Sequence, residues 1–461
     1  MQSARTRRSE KKLLACVAFA FLLHRPGLVP RAKASGLDVS TAYRMRALSY
    51  NNLNLGDPGN SRSFITQNAQ MSVFIKDIRV PLGTYEDQSM DVGVALRGVG
   101  VAGSSTALQA PFDKIGAHYP NTSFTPFVEN AYVRIKQMFG RTLEATAGQQ
   151  PFTLGSGLLL SDNGLGLTGV SAQCGMPWWN MKAGSFLFQP RNSQAGAGSL
   201  MIYGLSLELP TEGAWQVHQM FEKDRLSRTS AGIAVNKVSR YFASLRYQMN
   251  YGPFIFDGEA ALQKGSAMAL GPSPANPGGD RIKLDGNAMA FKAKWKQPLW
   301  RGGEGIARLV FARGSGDDPG TTTTDEAFFP SHGRRLDGLE RVGFGDFFSA
   351  TTYDAFVGGS SVTANNLPRG AGGVQTVGIG ITPPAYFGVA LDIDYFLFQA
   401  DRNSAGPNRT LGSETDLRLR YLIRDKLAIQ AGAAFFKTGN AISGAAKTAA
   451  RRVSFEVSGR F

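Results

Sequence analysis

The chain has 461 residues, 55 of them Gly and 30 Phe, and carries 50 Lys and Arg against 35 Asp and Glu, for a formal charge of +15. Residues 1–34 hold eight basic side chains and one acidic, so the remainder keeps only +8, which is modest for its size and excludes a polybasic nucleic-acid surface. Of the two cysteines, Cys16 lies in this N-terminal stretch and Cys174 stands alone beyond it, which excludes an intramolecular disulfide and a Cys-based metal site there.

In chain order, Arg5, Arg7, Arg8, Lys11 and Lys12 precede the apolar run 13–23, and Ala32-Lys33-Ala34 offers a small-x-small cleavage site. Residues 1–34 therefore read as a secretory signal peptide, with 35–461 as the mature chain. The apolar run is shorter than the roughly 20 residues of a spanning helix. Charges, Gly or Pro interrupt every later apolar stretch, so any membrane insertion must use strands.

Period-two alternation predicts strands over 38–50, 64–76, 90–101, 130–138, 142–150, 178–189, 199–209, 214–222, 229–236, 240–251, 254–264, 287–296, 305–313, 372–382, 387–399, 413–423, 427–437 and 451–461, eighteen in all. Their lengths approach the 9–11 tilted residues that cross a bilayer and exceed the ~5–6 of soluble strands. In 387–399, Phe387, Val389, Leu391, Ile393, Tyr395 and Leu397 share one face, and Asp392 and Asp394 share the other. A dry core would make those carboxylates costly, whereas a wet lumen would not. Connections alternate short and long, as in membrane barrels; the alternation is weakest between Glu208 and Tyr251, where the segments are short. The stretches 151–177 and 314–371 are too long for plain hairpin loops, so one or both are expected to fold into or over the lumen.

The last strand places Val453, Phe455, Val457 and Phe461 on one face and Ser454, Glu456, Ser458 and Arg460 on the other. Ending on Phe, it resembles the assembly signal of bacterial outer-membrane barrels, whose last strand pairs with the first. The expected fold is therefore all-β, a single transmembrane antiparallel barrel of about eighteen strands in the bacterial outer membrane, with membrane lipid and the barrel-assembly machinery as partners. Trp178, Trp179, Trp295, Trp300, Tyr395 and Tyr421 suit its aromatic girdles.

Three places resemble the alginate-export porin family: 141–167, RTLEATAGQQPFTLGSGLLLSDNGLGL; Phe311-Ala-Arg-Gly-Ser-Gly-Asp-Asp318; and Glu414-Thr-Asp-Leu-Arg-Leu-Arg-Tyr421. Gln149 stands where that family carries Arg. The resemblance implies an eighteen-stranded pore with a basic lumen for an acidic polysaccharide or another anion.

Basic residues opposite apolar faces are the candidate pore lining. In 287–296, Met289, Phe291, Ala293 and Trp295 form the apolar face, which groups Lys292, Lys294 and Lys296 on the other. Three ammonium groups in a row require water, acidic neighbours or an anionic solute to offset their field. Arg97, Arg134, Lys136, Arg308, Arg418 and Arg420 join them, with Asp392 and Asp394. The plainer alternative is that these charges only solvate the interior and pair with Asp257, Glu259, Asp392, Asp394 and Asp416.

No catalytic, metal or cofactor site is expected. His118, His218 and His332 sit in no nucleophile motif. Asp317, Asp318, Asp325 and Glu326 depart from Ca²⁺-loop spacing and read as a polar loop. Gly98-x-Gly100-x-x-Gly103 and Gly164-x-Gly166-x-x-Gly169 open no helix in a βαβ unit, so neither reads as a dinucleotide site. A passive anion-preferring pore is the leading expectation, followed by a general small-solute porin and then a barrel enzyme.

Overall fold

A computed structural model describes residues 36–53, 61–80, 87–101, 119–139, 142–177, 180–190, 200–225, 228–230, 233–269, 281–299, 303–318, 320–321, 323–332, 343–349, 371–424, 426–442 and 449–461. The leader, His118, Trp178, Trp179 and Trp300 lie outside them.

Eighteen strands form the wall: β1 (Gly36–Asn51), β2 (Arg62–Arg79), β3 (Ser89–Val101), β4 (Phe127–Met138), β5 (Leu143–Gln150), β6 (Leu167–Met176), β7 (Met181–Phe188), β8 (Leu200–Pro210), β9 (Gly213–Asp224), β10 (Ile233–Tyr251), β11 (Phe254–Ala269), β12 (Ile282–Pro298), β13 (Glu304–Gly314), β14 (Ala371–Thr382), β15 (Val389–Asn403), β16 (Thr410–Ile423), β17 (Leu427–Thr438) and β18 (Ala450–Arg460). Each pairs antiparallel with its sequence neighbours, and β18 pairs with β1 from Ala42↔Arg460 to Asn51↔Arg451, so the sheet closes without an edge. The closing ladder ends on Phe461, whose backbone N–H donates to the Thr41 carbonyl at 2.8 Å.

Alternation decides the two faces. Val453 and Phe455 on β18, Leu417 and Leu419 on β16, Ile379 and Ile381 on β14, and Leu205 on β8 are large apolar side chains exposed on the outer face. Such a surface is stable against lipid and costly in water. Trp295, Tyr395 and Tyr421 lie on this face too, 45%, 39% and 43% exposed, where girdle aromatics belong. The shortest connections, such as those between Pro210 and Gly213 or Tyr251 and Phe254, lie at the end that carries the termini, and the longest at the other.

The total of eighteen agrees with the sequence reading, but two of its parts do not. Leu167–Met176 is a wall strand rather than part of a connection. Its outer face carries Thr168, Val170, Ala172 and Cys174, too small and mixed to stand out as alternating. The predicted strands 229–236 and 240–251 are instead one strand, Ile233–Tyr251, beside the short piece Arg228–Ser230. A bulge between Asn236 and Ser239, with Lys237 at φ 49°, gives that stretch the look of a turn. The strand expected at 387 begins at Val389; Phe387, at φ 49° and 83% exposed, belongs to the preceding turn.

Leu391→Arg places a charge on the lipid face of β15 and is expected to cost ~2–4 kcal/mol if near the midplane, read as loss of the heat-modifiable folded band. Gln430→Arg faces the lumen opposite Glu456 and is expected to leave that band intact. Equal loss from both variants would mean that the faces are wrongly assigned.

Candidate functional site: a lumen narrowed by two inward connections

Two long connections turn into the barrel and carry its internal apolar clusters. Between β5 and β6, Leu154, Leu158, Leu159 and Leu160 pack against Phe186, Phe188, Ile202, Met220 and Phe242 of β7 to β10. Between β13 and β14, Phe347 and Phe348 pack against Tyr50, Phe396, Phe398 and Phe436. The two connections meet where the Ser161 N–H donates to the His332 carbonyl at 2.6 Å.

Each connection is held by a buried wall carboxylate. Glu259 on β11 accepts the Ser156 N–H at 2.7 Å and the Ser156 hydroxyl at 2.5 Å. Glu414 on β16 accepts the N–H groups of Phe347 and Phe348 at 2.5 and 2.9 Å. A left-handed glycine makes each approach possible: Gly155 has φ 60° and Gly345 φ 76°, and a Cβ there would lie 2.6 Å from Glu259 Oε1 and 2.5 Å from Glu414 Oε2 respectively. Further pins come from Gln149, whose amide donates to the Leu165 carbonyl at 2.6 Å, and from Arg240, which donates to the Phe329 carbonyl at 2.5 Å.

At the root of the second connection the predicted acidic loop folds on itself. Asp317 accepts the Glu326 N–H at 3.3 Å and Asp325 that of Ala327 at 2.9 Å. Burial first, and then the Asp325 carboxylate, push the Asp317 carboxyl up to about 7.

The candidate charges fall into two groups. Along β12 to β16, Lys292 and Lys294 line a cavity of about 580 Å³ near the turn end with Asp257 and Glu212, and Lys296 lies 3.6 Å from Glu304. Arg308 donates from Nε to Asp394 at 3.1 Å and from Nη1 to Asp392 at 3.2 Å. The pairing crosses β14 at Gly380, where any side chain would occupy the same space. Arg418 holds Asp346 of the inward connection at 3.0 and 3.1 Å and lies 3.5 Å from Asp394; Arg420 is 4.0 Å from Asp392. The radial order matters: the Arg308, Arg418 and Arg420 side chains keep 20%, 23% and 53% exposure, whereas Asp392, Asp394 and Asp346 keep 12%, 10% and 3%. Asp392 and Asp394 are thus not open to the lumen water, as the alternation suggests, but sit behind guanidinium groups.

The second group lies across the lumen. Arg97 donates to Asn68 and to the Gly164 carbonyl, both at 3.2 Å, and approaches Glu129 at 3.7 Å. Arg134 lies over the Tyr132 ring, and Lys136 pairs with Asp91 at 2.8 Å and Asp77 at 3.1 Å. Arg97 thus ties the wall to the first connection, and Arg134 and Lys136 join neighbouring wall strands.

Sequence reasoning missed Arg46, which pairs with Glu456 at 2.7 Å; Arg452, which donates to the Asp346 carbonyl at 2.7 Å; and Arg246, which holds Asp257 at 2.8 and 2.9 Å. Their places in the alternation were a usable signal. The anchoring roles of Glu259 and Glu414 had none, because their partners lie far away in sequence.

A closed eighteen-stranded antiparallel barrel with an apolar outer face and inward-folded connections is the fold of a bacterial outer-membrane porin. Solved porins share it over nearly their whole length: OccAB1 of Acinetobacter baumannii at TM-score 0.55 and 12% identity, over 94% of this chain and 98% of that one, and OccK2 (OpdF) of Pseudomonas aeruginosa at 0.54 and 13%, over 94% and 99%. OccK2 has also been crystallised in complex with glucuronate, at TM-score 0.53 and 14% identity over 94% and 99%. No family model matches the chain, and no curated protein does. The resemblance to alginate-export porins is therefore not supported. The stretches behind it have architectural duties here, since 141–167 carries the first inward connection and Glu414 clamps the second.

Proposed function

We propose that this protein is a small-solute porin of the outer membrane whose constricted lumen prefers anions. The observation that carries the reading is the radial order along β13 to β16, with the guanidinium groups of Arg308, Arg418 and Arg420 toward the solute and the Asp392, Asp394 and Asp346 carboxylates behind them or committed to the connections. A passing solute meets the cations first, in a channel whose low-dielectric walls focus their field. Because each cation is already partly neutralised, its hold on an anion is weak, and several weak sites in series favour entry without trapping. Two inward connections suit a small solute better than a polymer. That OccK2 binds glucuronate, a small carboxylate, agrees with this class.

The test is the reversal potential of the purified protein in planar bilayers under a KCl gradient, with liposome swelling in glucuronate and in an equal-sized neutral sugar. Anion preference and faster swelling in glucuronate are expected; cation preference, or swelling blind to charge, would sink the reading. Asp392→Asn with Asp394→Asn removes two negative charges from behind Arg308, Arg418 and Arg420. It is expected to raise anion preference further, and a shift toward cations would contradict the radial order.

A further inference from the structure

We infer that the wall from β5 to β9 carries a charge-balanced subsite for a hydroxyl-rich group, a sugar or polyol ring, beneath the first inward connection. A cavity of about 340 Å³ lies there, open toward the turn end, with 151–155 as its roof, within the size range of small-molecule sites.

One transverse row of the sheet forms its polar side. The registers Glu144↔Gln173, Gln173↔Gly184, Gly184↔Ser206 and Ser206↔His218 set these residues side by side on five successive strands. Neighbours in such a row are about 4.8 Å apart, a spacing that non-adjacent hydroxyls of one ring can bridge. Gly184 opens the recess: a Cβ there would lie 2.5 Å from Ser206 Oγ, so a side chain would fill part of it and push that hydroxyl out of the row.

The chemistry of the row is unspent. His218 is only 5% exposed, it lines the cavity, and neither ring nitrogen has a hydrogen-bond partner among the described residues. Gln173 and Ser206 make no side-chain hydrogen bond among the described residues. A buried imidazole without partners is an unusual arrangement in a folded protein, and a ligand hydroxyl can both donate to it and accept from it. Amide, hydroxyl and imidazole groups each do both, which matches alcohols rather than ions.

Charge points the same way. Lys182 lies 3.5 Å from Glu208, and Arg134 is occupied by the Thr146 hydroxyl and the Tyr132 ring. With Glu144 and Glu208 against Lys182 and Arg134, the lining carries no net charge, unlike the wall across the lumen. Phe152 and Phe186, ring centroids 5.0 Å apart, give the apolar side on which a ring's C–H face packs.

The inference rests on the proposed pore but is tested apart from its selectivity. Glucose is titrated onto single channels of the wild-type protein and of Gln173→Leu in planar bilayers at 1 M KCl, where lumen charges are screened to about 3 Å. Transient glucose-dependent blockades are expected from the wild type. Their apparent dissociation constant should rise roughly tenfold in Gln173→Leu, as for the loss of one or two neutral hydrogen bonds, at unchanged conductance and reversal potential. Gly184→Ala, which fills part of the recess and displaces the Ser206 hydroxyl, should abolish them. Absence of blockades in the wild type, or blockades unchanged in both conducting variants, would overturn the subsite while leaving anion preference to stand or fall by its own test.

Discussion

Lys292→Glu, Lys294→Glu and Lys296→Glu introduced together are expected to move the reversal potential toward that of a cation-preferring channel. The substitutions change the local charge by six units on one strand face. Two of these lysines border the cavity that Asp257 also lines, and the glutamates would add to that carboxylate instead of opposing it. Because field lines are focused by the low-dielectric wall, the effect should exceed that of the same charges on an open surface. It should be largest at low salt, since the Debye length is about 30 Å at 0.01 M and about 3 Å at 1 M. The strand itself should persist, because Met289 and Trp295 still face lipid and lumen positions tolerate charge. An unchanged reversal potential at low salt, from a variant with the normal folded band, would remove these lysines from the solute path.

Glu414→Ala should widen the pore, with single-channel conductance rising severalfold. The Glu414 carboxylate is fully buried and accepts two consecutive N–H groups, those of Phe347 and Phe348. Each such charge-assisted bond contributes roughly 1.5–3 kcal/mol, and its loss strands a buried donor at a further cost of about 1–3 kcal/mol. Packing of Phe347 and Phe348 on Phe398 and Phe436 and the Asp346 bonds to Arg418 and Arg452 oppose release, but they must hold the connection against two buried donors left without an acceptor. The connection should therefore leave the lumen for a large part of the time. The wall does not depend on it, since β16 keeps its ladders to β15 and β17. Glu414→Gln retains an acceptor and should fall between the two. Wild-type conductance from Glu414→Ala would show that the aromatic packing alone sets the constriction.

The architecture was legible because a membrane barrel writes its two solvents into the chain. Lipid outside and water inside impose period two on every strand, and the pleat turns that period into faces without any tertiary information. The all-β class and the position of most wall strands follow from alternation, and the pairing of 450–460 with 36–51 was expected from the resemblance of the last strand to an assembly signal. Where the contrast was faint, in the small residues of Leu167–Met176 and at the bulge near Lys237, the reading failed locally, and the two errors cancelled in the total.

What the tertiary structure decided is how the charged side chains are paired. Arg308 reaches Asp394 only because Gly380 intervenes across three strands, and Asp346 meets Arg418 only because a distant connection folds back through the pore. Such pairings depend on the register of non-adjacent strands and on loop return, which no local pattern carries. Alternation therefore determines that a side chain faces the lumen, and the three-dimensional arrangement of its partners determines whether its charge is free to act there.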